Sequence, residues 1–358
     1  MSNVPIYEPW LTSIEENYAI DAIKSHWISS LGKYVEKSER TFADFIGRKY
    51  CILVNNGTAA CHVALSSLGI GSNDEVIVPA LTFISTIDAV TYTGAKPVIV
   101  DVDKDTWNIN IDKVKKAITN KTKAIFCVHL YGNLCDIDSL KKICFENDLY
   151  FIEDACEAVG SYYDGKHAGT FGDVAAFSFF SNKTICCGEG GAVVIDFLKW
   201  KERAEALRCH GQKGDRYFHE YIGNNYRLNN VSAAILYGQI ERINEILKEK
   251  YRVRDTYKNE LDSCNITWQK QHSEKYVINH WLNTIIVENR DLLIKKLNES
   301  GIDTRKVFYP ICDMPQYRDQ KNMPEARFIH EHGISLPSYP TLEDDKIKFV
   351  CKIVKENV

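Results

Sequence analysis

Lys183 stands in the short loop Ser181-Asn182-Lys183-Thr184, five residues after Ser178 in the apolar run AAFSFF. A lysine amine is charged in water, with a pKa of about 10.4, and attacks an aldehyde only once deprotonated. Burial in a cleft lowers that value, and a Schiff base then stores the amine. Upstream, the apolar run YFI ends in Glu153-Asp154. A carboxylate there is costly unless a cationic or protonated group meets it, and a pyridinium nitrogen is one such group. A carboxylate held against that nitrogen keeps the ring protonated, and a protonated ring is an electron sink for a carbanion.

Two further segments suit a phosphate and a planar ring. The run CILV (51–54) leads into Asn55-Asn56-Gly57-Thr58-Ala59-Ala60, where glycine permits close backbone approach and Thr58 is a candidate helix cap. The exposed N–H groups and dipole at such a helix start favour a phosphate, to which Ser178 can also donate. Phe83, in Pro79-Ala80-Leu81-Thr82-Phe83, can stack on a planar group at a strand mouth. Each feature has an ordinary counterpart: a solvated loop lysine, an aspartate capping the next helix, an N-G-T turn, a phenylalanine packed in the core. Their joint occurrence, in loops just past strand ends, carries the argument.

The elements that must position these residues alternate in type. Short apolar runs (CILV, EVIVPA, KPVIVDV, KAIFCVHLYG, YFIEDA) are separated by helical patterns such as TAACHVALSSLG, FISTIDAVTYTG, IDKVKKAIT and DSLKKICFEN, and AAFSFF and GAVVI follow. This βαβα order predicts a mainly parallel sheet of about seven strands before residue 200, covered on both faces. The stretch VSAAILYGQIERINEILKEKYRVRDTY is expected to be one long helix that bridges to a second unit. Strand WLNTIIVE and helices DLLIKKLNES and LEDDKIKFVCKIV belong to that unit. The expected division is a large domain over 1–245 and a smaller C-terminal α+β domain over 246–358, with a cleft between them.

Composition excludes more than it assigns. The 358 residues are 45% hydrophobic, enough for a substantial core, and the formal charge of −4 is scattered rather than gathered into blocks. Neither nucleic acid nor a membrane surface is therefore expected as a partner. No basic-then-apolar leader opens the chain, and no run reaches the roughly 18 apolar residues of a membrane span, so a cytoplasmic protein is expected. The twelve cysteines are scattered without a CxxC pair, which reads as buried free thiols and no metal site. Gly188-Glu189-Gly190-Gly191 does not match a dinucleotide-binding GxGxxG.

Over about residues 7–340 the chain resembles the DegT/DnrJ family of nucleotide-sugar aminotransferases, which have the aspartate-aminotransferase fold (PLP fold type I). The matching stretches include NNGTAACHVAL, VPALTFISTIDAVTYTGAKPVIVDVD, FIEDACEAVGSYYDGKHAGTFGDVAAFSFFSNKT, GEGGAVV and IGNNYRLNNVSAAI. The resemblance implies pyridoxal 5'-phosphate as cofactor, joined to Lys183, with Asp154 on the pyridinium nitrogen. It implies phosphate contacts from Gly57, Thr58 and Ser178, and Phe83 stacked on the ring. Glu157 stands where many members carry glutamine. Asn225 is expected to reach the phosphate in the other subunit's site, which implies a homodimer with shared active sites.

Within the family, WISSLGKYVEKSER, FSFFSNKTICCGEGG and TRKVFYPICDMPQYR are similar to perosamine- and viosamine-type sugar 4-aminotransferases. The implied reaction moves the amino group of L-glutamate to C4 of a nucleotide-linked 4-keto-6-deoxyhexose, giving GDP-perosamine or UDP- or dTDP-viosamine. Alternatives are a 3-aminotransferase, a cofactor-dependent 3-dehydratase, and a non-catalytic cofactor-binding regulator. The dehydratase relatives carry histidine where Lys183 stands. Ser29, His129, Tyr131, His219, Arg227 and Tyr309 lie in family-like segments and are candidates for sugar or diphosphate contact.

Overall fold

The computed structural model describes residues 3–318 and 322–358. Its main sheet has seven strands: β1 Tyr50–Val54, β2 Glu75–Pro79, β3 Lys96–Val100, β4 Thr122–Val128, β5 Tyr150–Asp154, β6 Val174–Ser178 and β7 Gly191–Ile195. They lie in the order β1-β7-β6-β5-β4-β2-β3. The β3-β2-β4-β5-β6 pairs are parallel, whereas β7 runs antiparallel to both β6 and β1. This is the mainly parallel seven-stranded sheet that the alternation of elements predicts.

Both faces are buried, which is why the strands read as near-continuous apolar runs. In β1, Ile52 and Val54 enter one core cluster while Cys51 and Leu53 enter the other. The first cluster is closed by helices α3 Gly57–Ser67 and α4 Ser85–Tyr92, through residues such as Val63 and Ile87. Phe42 of α2 Lys33–Ile46, Leu140 of α6 Ile137–Asn147 and Leu236 of α8 Asn230–Glu241 close the second.

The expected single helix after residue 230 is two. α8 ends at Glu241, Arg242 has φ −99° and ψ 8°, and α9 runs Ile243–Leu261. Arg242 is held there because its Nη1 pairs with buried Glu15 at 2.9 Å and donates to the Trp10 carbonyl. Apolar periodicity continues through the break, so the pattern alone does not reveal it.

Strands β8 Thr267–Trp268, β9 Asn283–Ile286, β10 Arg305–Lys306 and β11 Gly333–Leu336 form an antiparallel sheet in the order β8-β9-β11-β10. Its core joins Val253, Tyr257 and Leu261 of α9 to Ile285, Leu293, Ile334 and Val350. Val4, from the start of the chain, bridges to Ile302 and packs in this same core. Among the described residues, no helix is long and apolar enough to cross a membrane.

Candidate active site

A cavity of about 470 Å3 opens beyond the carboxyl ends of β1, β2, β5 and β6, where open α/β sheets place their ligands. Asn56, Gly57, Thr58, Phe83, Asp154, Glu157, Ser178 and Lys183 all line it. Residues from four separate loops therefore meet in one place. The second sheet and its approaches supply Trp281, Arg305 and Phe308.

The first loop is built by the N-terminus of α3. Asn56, not Thr58, is the cap: its Oδ1 accepts the Ala59 N–H at 2.8 Å while its backbone is extended. Thr58 lies inside the first turn, so its side chain is free of the capping role expected of it. A methyl group on Gly57 would lie 2.8 Å from Ser178 Cβ and 3.0 Å from Ser178 Oγ. Glycine is thus required for β6 and the helix start to approach, and the cradle they form brings amide and hydroxyl donors to one anion-sized position.

Asp154 is almost fully buried. Thr86 Oγ1 donates to its Oδ2 at 2.6 Å, Cys61 Sγ lies 3.8 Å from the same oxygen, and the Cys156 N–H donates to Oδ1 at 3.1 Å. A carboxylate has about four acceptor positions, so capacity remains for one cationic partner from the cavity. Phe83 is 53% exposed, with its ring tilted against Phe308 at 5.9 Å between centroids. Two thiols beside Asp154 went unassigned in the sequence: Cys61 is buried and Cys156 lines the cavity.

The lysine loop is clamped from two directions. Tyr7 Oη donates to the Lys183 carbonyl at 2.5 Å, and Trp281 Nε1 donates to the Asn182 carbonyl at 2.6 Å. The Lys183 amine then lies 3.7 Å from the centroid of the Trp281 ring and 3.5 Å from Glu157 Oε1. Glu157 Oε2 accepts the Tyr131 N–H at 2.7 Å, and burial raises the Glu157 carboxyl above the ordinary range. Trp281 is anchored in turn, its backbone N–H donating to Asn279 Oδ1 and its ring stacked on Tyr131.

Two expected substrate contacts are corrected. His129 is fully buried, with Nε2 at 2.9 Å from Glu153 Oε2 and Nδ1 accepting the Cys135 N–H. With Nδ1 accepting, Nε2 carries the proton, and the ring is committed to the framework. The Tyr131 side chain is buried between Trp281 and Phe308, so it supports the cavity wall from behind and only its backbone serves Glu157. Ser29, His219, Arg227, Tyr309 and Asn225 do not line this chain's cavity. Ser29 offers its carbonyl to Asn230, His219 meets the His210 carbonyl, Arg227 reaches Cys209 Sγ, and Tyr309 packs on His330. Asn225 is exposed. Trp281, Arg305 and Phe308 were missed because they lie in and around the second sheet, far from the four motifs in sequence.

An amine in a buried pocket, a carboxylate with spare acceptor capacity, a flanking ring and a phosphate-sized cradle fit pyridoxal phosphate. Fold and site together define a pyridoxal-phosphate-dependent aminotransferase of fold type I. The chain belongs to the DegT/DnrJ/EryC1/StrS aminotransferase family, whose model matches residues 11–355. It is 40% identical to the GDP-perosamine synthase of Escherichia coli O157:H7 over 361 residues, covering 99% of each chain. Identity to the GDP-perosamine synthase of Vibrio cholerae is 39%, covering 98% of each. The crystal structure of S. venezuelae DesV in complex with a ketimine intermediate superposes with a TM-score of 0.92 at 33% identity, covering 96% of this chain and 94% of DesV.

Proposed function

We propose that this enzyme transfers the amino group of L-glutamate to C4 of a nucleotide-linked 4-keto-6-deoxyhexose, with the GDP-linked mannose-derived ketone as first candidate and GDP-perosamine as product. The observation that supports the chemistry is the convergence of Lys183, Asp154, Gly57 and Ser178 on one cavity. The choice of sugar rests on the two GDP-perosamine synthases similar to the chain over nearly their whole length.

When bound, pyridoxal phosphate supplies an aldehyde to hold the migrating amine and a ring to delocalise the electrons released at the substrate carbon. The protein does the rest. The Gly57 and Thr58 N–H groups and Ser178 Oγ would hold the phosphate, with Phe83 against the ring. Asp154, oriented by Thr86, holds a proton on the ring nitrogen. Lys183 would hold the cofactor through its amine, and that amine would move a proton at the substrate carbon in both half-reactions. Glu157 and Trp281 define where its free amine rests. In this reading Asn225 completes the phosphate site of a second subunit, so the working form is a homodimer, and the enzyme acts in the cytoplasm.

Purified enzyme is to be incubated with L-glutamate and GDP-, UDP- and dTDP-linked 4-keto-6-deoxyhexoses, and the products identified by mass and NMR. The expected result is a 4-amino sugar on GDP with one equivalent of 2-oxoglutarate. An amine at C3, or loss of the 3-hydroxyl without amination, would refute the assignment.

A further inference from the structure

Cys127, His129 and Cys135 bring two sulfurs and an imidazole nitrogen within 4.8 Å of one another. All three side chains are fully buried, and none of them lines the cavity. Cys127 lies in β4, which ends at Val128, and the chain then reverses through Leu130–Gly132, where Tyr131 and Gly132 have φ 54° and 88°. That reversal returns Cys135 to the strand end the chain has just left, with its thiol donating to the Val128 carbonyl at 3.2 Å. The spacing Cys-x-His-x5-Cys contains no CxxC pair, so local sequence does not announce the group; the turn creates it.

The imidazole is oriented as a metal ligand needs to be. Its Nε2 lies 2.9 Å from Glu153 Oε2, and Glu153 is itself fixed by the amides of Gly169, Phe171 and Gly172. This pairing keeps the proton on Nε2 and turns the Nδ1 lone pair toward Cys135, whose backbone N–H reaches it at 3.3 Å, a long and weak bond. A carboxylate behind a histidine fixes the ring and raises the basicity of the nitrogen that faces the ion. Charge narrows the choice of ion. Two thiolates and a neutral imidazole carry −2, which a divalent cation cancels, whereas a monovalent one leaves net charge in the core. Zn(II) takes sulfur and nitrogen ligands in a tetrahedron, with the Val128 carbonyl at hand as a further donor. Sulfurs about 2.3 Å from a tetrahedral zinc lie about 3.8 Å apart, so the group closes on the ion by a movement of about 1 Å.

We propose that Cys127, His129 and Cys135 form a binding site for one Zn(II) ion, with Glu153 as the carboxylate behind the histidine. Binding releases the two thiol protons to solvent and forms two zinc–sulfur bonds and one zinc–nitrogen bond. The ion ties the end of β4 to the loop that leads into α6 and, through His129 and Glu153, to the amides at 169–172. The site is independent of the aminotransferase reading, since none of the three ligands reaches the cavity.

The test loads the reduced, full-length holoenzyme with Zn(II) after chelator treatment, removes excess metal, and counts the retained ion by mass spectrometry. About one zinc per chain is expected, and X-ray absorption at the zinc edge should show two sulfur neighbours and at least one nitrogen. Competition with a chromophoric chelator gives the affinity. Cys127→Ser should weaken binding by more than about 100-fold and Glu153→Gln by about 10- to 100-fold, as loss of a ligand and of its supporting carboxylate predict. The unfolding midpoint of the wild type should rise with zinc concentration, and that of Cys127→Ser should stay flat. A second group of possible ligands, Cys61, Asp154 and Cys156, serves as the control, and Cys156→Ser should keep the tightly held equivalent. Loss of the ion from Cys156→Ser, with retention by Cys127→Ser, overturns the proposal and assigns the metal to the cavity. A wild-type protein that retains no zinc, or holds it without sulfur neighbours, overturns it whether or not any variant folds.

Discussion

At the end of β5 two adjacent carboxylates leave the sheet on opposite faces and meet opposite surroundings. Glu153 Oε1 accepts the N–H groups of Phe171 and Gly172, and its Oε2 accepts that of Gly169 and faces His129 Nε2. Arg48 Nη2 lies 4.0 Å away, and the carboxylate is fully buried. Burial pushes its carboxyl up, but the His129 hydrogen bond and the charges and amides around it win and hold it below the ordinary range. Asp154 has fewer donors, one of them a thiol, and an open side toward the cavity. A saturated carboxylate organises a loop, whereas one with spare capacity can serve a ligand. Two lysines repeat the contrast. Lys183, partly exposed, faces the cavity, while Lys250 is fully buried and donates to the carbonyls of Trp281 and Ser338.

The sharpest way to break this contrast is Lys183→Ala. Turnover should fall by at least about 10,000-fold, because the cofactor carrier and the proton shuttle are one group. Thermal unfolding should show a midpoint within a few degrees of wild type, and a variant with near-normal turnover would contradict the whole scheme. Asp154→Asn should lower turnover by roughly 1,000-fold through loss of the charged partner to the ring nitrogen, again with little change in the unfolding midpoint.

Glu153→Gln should do the reverse. It replaces two acceptor oxygens with one and leaves buried N–H groups unsatisfied, so urea unfolding should report a loss of about 2–3 kcal/mol. Since the native carboxyl lies below its unfolded value, the stability it contributes is present above the unfolded pKa and lost as pH falls through the native one. Unfolding of the Gln variant should therefore be less pH-dependent on the acid side. Equal behaviour of the two variants at 153 and 154 would erase the distinction drawn here.

The smallest effect concerns Lys250, whose ammonium burial pushes down to about 7. Between that value and the ordinary 10.4 or so, the unfolded chain binds the extra proton, so stability rises with pH by up to about 1.4 kcal/mol per unit. Below it that contribution is lost. Lys250→Met should flatten this alkaline rise, measured by urea midpoints from pH 7 to 9.5. An unchanged slope would show that Lys250 is not the group responsible.

Local sequence determined the alternating elements, the seven-stranded sheet, and the four segments that hold Lys183, Asp154, Gly57 and Phe83, because strand pattern and short-range turn chemistry are encoded within a few residues. What lay beyond that range was settled only by packing. The break at Arg242 depends on Glu15, more than two hundred residues away. His129 and Tyr131 read as pocket residues, yet Tyr131 adopts a left-handed backbone with φ 54° just after β4, and both side chains turn into the framework. Trp281, Arg305 and Phe308 complete the cavity from the second sheet and its approaches, with no motif linking them to the lysine loop. The face on which each side chain emerges, and which distant element it meets there, is a property of the assembled sheets and helices rather than of neighbouring residues.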